Sequence, residues 1–208
     1  MNHVALLGDS IFDNGVYVAP APPVSEQLCA RLGSDWAVSL VAVDGHVTSD
    51  VRERQISRVP EDASHIIISV GGNDALGHAS ILNEGARSVA EAVGRLAEAQ
   101  AGFARSYAEM VDAVATLNLP TAVCTIYDAN YPKPQRRLVV SALSLFNDVI
   151  TRVAFARGLN VIDLRLICDE PADYANPIEP SARGGEKIAR AIAELVRSPP
   201  GDRSAVWI

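Results

Sequence analysis

The chain has 208 residues and a formal net charge of −7, with 49% hydrophobic and 21% charged residues. That length suits one domain, residues 1–208, with a sizeable core. Its negative balance argues against nucleic acid or an anionic membrane as a bulk electrostatic partner. Cys29, Cys124 and Cys168 form no CxxC pair and no histidine stands at metal-ligand spacing, so the expectation is reduced thiols, no metal and no organic cofactor. The opening MNHVALLGDS lacks a basic region followed by a long apolar one, and no apolar run approaches the ~18 residues of a membrane span. A cytoplasmic protein with no membrane contact is expected, its oligomeric state open.

Short apolar runs alternate with longer helical patterns. HVALLGDS predicts a first strand, followed by a Pro- and Gly-rich loop (15–23) and a helix over SEQLCARL closed by Gly33. AVSLVAV (37–43) predicts a second strand with a short helix near 49–56 behind it, and HIIISV (65–70) a third strand ending in GGNDALGH. An Ala-rich helix is expected over 86–117, with a break near Gly102. PTAVCTIYD (120–128) is a fourth strand, 135–158 a helix ending at a Gly cap, LNVIDL (159–164) a fifth strand and 181–198 the last helix. The tail SPPGDRSAVWI reads as irregular. Because the strands are continuous apolar runs rather than alternating ones, both sheet faces are expected to be covered. The expectation is a three-layer α/β/α sandwich around a five-stranded parallel sheet, with ligands at the carboxyl ends of its strands.

That rule sorts the polar residues. Ser10 enters the loop after the first strand, where a hydroxyl can be exposed beside backbone N–H groups able to hold an oxyanion; a plain helix-capping serine is the simpler alternative. The second strand ends in Asp44-Gly45-His46, whose glycine lets backbone approach a ligand. The third ends in Gly71-Gly72-Asn73-Asp74, with an amide donor. Three strands deliver Ser, Gly and Asn to one edge of one sheet.

At this point the chain resembles the SGNH hydrolases, the GDSL esterases and lipases. GDSIFDN is similar to their first block, VDGHVTSD to the second and GGND to the third. The resemblance implies a flavodoxin-like sheet, a serine nucleophile at Ser10 and an oxyanion hole from the N–H groups of Ser10 and Gly45 with the side chain of Asn73. It implies a small-molecule ester as substrate. The fifth block of the family reads DxxH before Pro, a small polar residue, Ala, any residue and Gly. Here the stretch is Asn176-Pro177-Ile178-Glu179-Pro180-Ser181-Ala182-Arg183-Gly184. Asn176 stands in the aspartate position and Glu179 in the histidine position.

Four histidines compete for the role of base. His3 and His65 lie at the amino ends of their strands, roughly 15 Å from the site at ~3.3 Å per residue. His46 and His78 lie in loops at the correct end and, with Asp9, are candidate pocket residues. Glu179 is the stronger candidate base: its free pKa of ~4.3 is low for the task, and burial raises it. Asn176, uncharged, would orient it by a hydrogen bond. Asp173 is a spare carboxylate nearby. The rival expectation is a binding protein that has lost its base. Few aromatics and no long apolar lid point to a small, soluble ester.

Overall fold

The computed structural model describes residues 2–199 and 203–208. Seven residues, Asn2–Gly8, form β1, flanked by β2 (Trp36–Leu40) and β3 (His65–Ser69); β4 (Thr121–Cys124) and β5 (Asn160–Ile162) follow. Two short strands, β6 (Tyr174–Asn176) and β7 (Glu179–Pro180), pair antiparallel as a separate hairpin, and β8 is Val206–Trp207. The main sheet runs β2-β1-β3-β4-β5-β8 and every neighbouring pair is parallel.

Six strands therefore replace the expected five. The sixth comes from the tail that reads as irregular: the Val161 and Asp163 N–H groups donate to the Ala205 and Trp207 carbonyls at 2.9 and 2.8 Å. Two residues carry no periodicity, so only the pairing reveals the strand.

Four long helices complete the sandwich: α1 (Val24–Leu32), α2 (Val89–Ala115), α3 (Gln135–Ala156) and α4 (Ala182–Arg197). Val4 and Leu6 pack with α1 and α4 residues such as Leu28 and Ile188, while Ala5 and Leu7 pack with α2 and α3 residues such as Met110 and Ile150. Alternate β1 side chains thus feed opposite cores, which is why the strand shows an unbroken apolar run. Ser88 caps α2 by accepting the Glu91 N–H at 3.1 Å, and Ser181 caps α4 by accepting the Gly184 N–H at 3.2 Å. The expected break at Gly102 is absent, and α2 runs through it. A single glycine costs a helix only ~1 kcal/mol, too little to interrupt one held by packing on both sides of it. Past the end of α3, Gly158 takes the left-handed φ of 72° that a helix stop favours.

α3 is apolar enough to cross a membrane, with a mean hydropathy of 1.6 over 18 residues. Its sequence reflects two apolar faces. Phe146, Val149, Ile150 and Ala154 face the core, whereas Leu138, Val139, Ala142 and Leu143 line a cavity above the sheet.

The chain passes outward from β1 to β2 and then returns to β3 on the other side of β1. The strand order therefore reverses at β1 and β3, and ligands of such sheets lodge in the crevice at that point.

Candidate active site

Ser10 stands at this reversal. Gly8, just before it, has φ 132°, and a Cβ there would lie 1.8 Å from the Ser69 carbonyl oxygen. Only glycine permits so close a strand pairing. The Asp9 N–H then donates to Ser69 O at 3.1 Å, so the turn carrying Ser10 is pinned to β3.

Gln55 adds a second pin that sequence reasoning missed. Fully buried in a π-helical turn, Val51–Gln55, it accepts the Gly8 N–H at 2.8 Å and donates to Gly8 O at 2.7 Å. Its Nε2 also lies 2.9 Å from His46 Nδ1. One carboxamide thus locks the end of β1 to the loop holding Gly45 and His46. The signal in the sequence was a glutamine four residues after Val51, on the same face of the short expected helix as that apolar residue.

Glu179 arrives on the β6–β7 hairpin. The Tyr127 hydroxyl donates to the Ile178 carbonyl, and the Asn130 N–H donates to Pro177 O at 2.8 Å. Tyr174 stands edge-on to Tyr127 with ring centroids 5.2 Å apart, its hydroxyl reaching the carbonyls of Asp128 and Cys168. At the foot of α4, a Cβ on Gly184 would lie 2.2 Å from Asp173 O, which accounts for glycine at that place in the NPIEPSARG stretch.

The outcome is a direct contact: Ser10 Oγ donates to Glu179 Oε1 at 3.0 Å, both residues buried. Burial raises the Glu179 carboxyl from 4.5 to about 7; the Ser10 hydrogen bond opposes this and the charge of Asp44 adds to it. Asp9 beside it is also buried and is raised from 3.8 to about 8, chiefly by desolvation, against the hydrogen bond from the Ile11 N–H and with the charges of Glu179, Asp74 and Asp44 adding. Two carboxyl groups near the Ser10 turn are thus both raised, in each case chiefly by burial.

On the other side of Ser10, Asn73 Nδ2 donates to the His46 carbonyl at 3.0 Å, which leaves its second N–H for another acceptor. The Thr48 N–H donates to Asp74 Oδ2 at 3.0 Å, joining the second and third loops again. Gly45 has φ 80°, and neither its N–H nor that of Ser10 donates to a protein acceptor among the described residues.

Several expected residues take other positions. Asn176 does not orient Glu179. It is exposed, and its Oδ1 accepts the Ile178 N–H at 2.9 Å, tightening the hairpin turn. Its partner across the hairpin is the Glu179 main chain, so its side chain is committed locally, and Glu179 Oε2 is left buried without a hydrogen-bond partner among the described residues. His46 sits against Gln55, whereas His78, though exposed, lines the same cavity as Ser10 as expected, its ring 6.3 Å from that of Phe146. His3 bonds Asp62 and Ser39 at the far edge of the sheet. Asp173 is no spare carboxylate: it is fully buried and paired with Lys187 at 2.7 Å. No cluster of three or more metal-ligating side chains occurs among the described residues.

The carboxyl beside Ser10 gives a test independent of activity. Because the folded-state pKa of Asp9 lies above its unfolded value, the folded state binds the proton more tightly. Stability conferred by that proton is present at low pH and is lost as pH climbs from 3.8 to about 8. Asp9→Asn keeps the acceptor for Ile11 and removes the ionisation. Its Tm should match the wild-type at the acid end of that range and exceed it increasingly towards the upper end. A constant difference across the range would show that Asp9 does not titrate there.

A parallel sheet covered on both faces, with a serine at its strand-order reversal, makes a three-layer α/β/α sandwich with a candidate site at the carboxyl ends of its strands. Residues 6–187 match the model of the GDSL-like lipase/acylhydrolase family, and the chain belongs to that family. Solved structures agree in fold. The extracellular lipase of Streptomyces rimosus superposes with a TM-score of 0.66 at 19% identity, over 95% of this chain and 100% of that one. Phospholipase A1 of Streptomyces albidoflavus gives 0.63 at 21% identity, over 95% and 99% of the two chains. A lipolytic G-D-S-L family protein of Veillonella parvula gives 0.67 at 16%, over 95% and 100%. None of the curated protein sequences matches the chain.

Proposed function

We propose that the protein hydrolyses carboxylic esters through an acyl-Ser10 intermediate, with Glu179 as the base. The observation that carries this reading is the 3.0 Å hydrogen bond from Ser10 Oγ to a buried carboxylate whose pKa is about 7. At neutral pH a large share of Glu179 is ionised and accepts the serine proton as Oγ attacks the ester carbonyl. The negative oxygen that forms is met by the N–H groups of Ser10 and Gly45 and the free N–H of Asn73. The tetrahedral species collapses, and Glu179 returns the proton to the departing alcohol oxygen. Water then repeats the sequence on the acyl-enzyme: Glu179 takes its proton, the acid leaves and Ser10 recovers its hydrogen.

A second reading, ligand binding without turnover, is favoured by one feature: with Asn176 turned away, no third group holds the Glu179 carboxylate. A fluorophosphonate probe separates the two. Covalent labelling of the wild-type but not of Ser10→Ala supports the nucleophile; absence of labelling together with tight non-covalent ester binding supports the second reading.

Asn73→Ala should lower kcat by ~10²–10³, the loss that follows removal of one oxyanion donor, with KM little changed. Asn73→Asp should not restore the rate, because a carboxylate repels the oxyanion. An unchanged kcat in Asn73→Ala takes this amide out of the mechanism.

A further inference from the structure

Above the carboxyl ends of β3 and β4 lies a cavity of about 400 Å³ that opens onto Ser10. Near the serine its wall is polar, from Asp9, Asn73 and Glu179. Away from it the wall is aliphatic and aromatic, built by Leu82, Leu96, Val139, Ala142, Leu143 and Phe146 from the 79–83 turn, α2 and α3. The mouth is apolar too: Leu76, Leu82 and Leu138 line the cavity while 43%, 37% and 58% exposed. This differs from the small, soluble ester expected from the low aromatic content, because the apolar wall is made mostly of aliphatic side chains.

Across Ser10, on the β2 side, the surroundings are of the opposite character. The Tyr17 hydroxyl donates to Asp44 Oδ2 at 2.7 Å and the Asp44 N–H to Asp13 Oδ2 at 3.0 Å, with Asp44 exposed and Tyr17 and Asp13 half-buried. An ester with its carbonyl at Ser10 has its acyl chain on one side and its alcohol on the other. Only one side here removes apolar surface from water.

We infer that the cavity between the 79–83 turn, α2 and α3 is the acyl subsite, and that it selects esters of medium-length aliphatic acids with the alcohol lying towards Tyr17, Asp13 and Asp44. The inference rests on the reading of Ser10 as the nucleophile for its catalytic form, but the cavity binds the chain whether or not turnover occurs. The second apolar face of α3, which the core does not use, is accounted for by this role. So is the concentration of exposed leucines at the mouth, since large side chains of this kind are costly on a surface with nothing to cover.

Hydrolysis of p-nitrophenyl butyrate and octanoate tests the catalytic form. Each added methylene that is fully buried raises kcat/KM about fourfold, equivalent to ~0.8 kcal/mol, so octanoate should exceed butyrate by tenfold to about 200-fold. Ala142→Trp, which fills the cavity from a half-buried helix position, should bring that ratio close to one. Ser141→Trp, its exposed neighbour outside the cavity, should keep the wild-type ratio. Calorimetry of methyl octanoate and methyl butyrate on the Ser10→Ala protein measures the subsite without chemistry: octanoate should bind at least tenfold tighter, and the added Ala142→Trp change should remove the difference. If the wild-type hydrolyses esters with a flat chain-length profile that Ala142→Trp leaves unaltered, the subsite is elsewhere although the nucleophile stands. If no ester is hydrolysed but the calorimetric preference and its loss are seen, the subsite stands and the catalytic reading falls.

Discussion

On the proposed mechanism, Ser10→Ala should abolish ester hydrolysis, lowering kcat to the level of a protein without a nucleophile. In serine hydrolases the loss on removing the nucleophile reaches ~10⁶, because the remaining groups serve only to bind and polarise. The fold should survive: Ser10 is buried, but its hydroxyl bonds only Glu179, and the turn is pinned by the main chain of Asp9 and Gly8. An alanine also frees the Glu179 carboxylate from the one hydrogen bond that lowers its pKa. The variant should therefore show Glu179 titrating higher than in the wild-type, visible as a shifted carboxyl resonance in a pH series. Retention of wild-type turnover would place the nucleophile elsewhere.

Glu179→Gln is the second large effect, a fall in kcat of ~10²–10⁴, as loss of a positioned base entails. Its companion is the pH profile of the wild-type. On the proposed mechanism Glu179 acts as base only when ionised, so kcat/KM should rise with pH through about 7, the folded-state value set by burial. Asp9 keeps its proton until about 8. Ionisation of Asp9 adds another negative charge to a site already bordered by Asp44 and Asp74, which opposes the oxyanion and should lower the rate at high pH. Asp9→Asn should remove the falling limb and leave the rising one. A rate independent of pH through this range, with Glu179→Gln fully active, would assign the base to another group.

Much of this arrangement is written in the chain. Unbroken apolar runs such as Val4–Leu7 and Ile66–Ile68 show a doubly covered parallel sheet, and the direction of each strand then places Ser10, Gly45 and Asn73 at one edge and His3 at the other. The resemblance of Pro180, Ser181, Ala182 and Gly184 to the family's fifth block implies where Glu179 falls. What the sequence hides has physical causes. β8 is too short for a period. The cavity is lined by Leu138, Val139 and Ala142, which repeat at helical spacing just as core residues do, so a helix with two apolar faces reads as one with a broad core face. The side chain of Asn176 serves its own turn, a choice made by local hydrogen bonding that residue type alone does not disclose. Gln55 lies 47 residues from the Gly8 main chain that it holds.

The mounting of Glu179 has a further consequence. The hairpin that carries it is secured at the Pro177 and Ile178 carbonyls, by the Asn176 turn and through the Asp173 main chain against Gly184. None of these ties involves the side chain at position 179. The scaffold is a socket that sets where a proton acceptor stands and leaves its chemistry open. Glu179→His should therefore fold as the wild-type does, while Asn176→Asp, whose carboxylate can still accept the Ile178 N–H, should keep the hairpin turn. Histidine and glutamate become interchangeable fittings on one mount, and the pH range in which the protein works can change by substitution at that position while the backbone stays where it is.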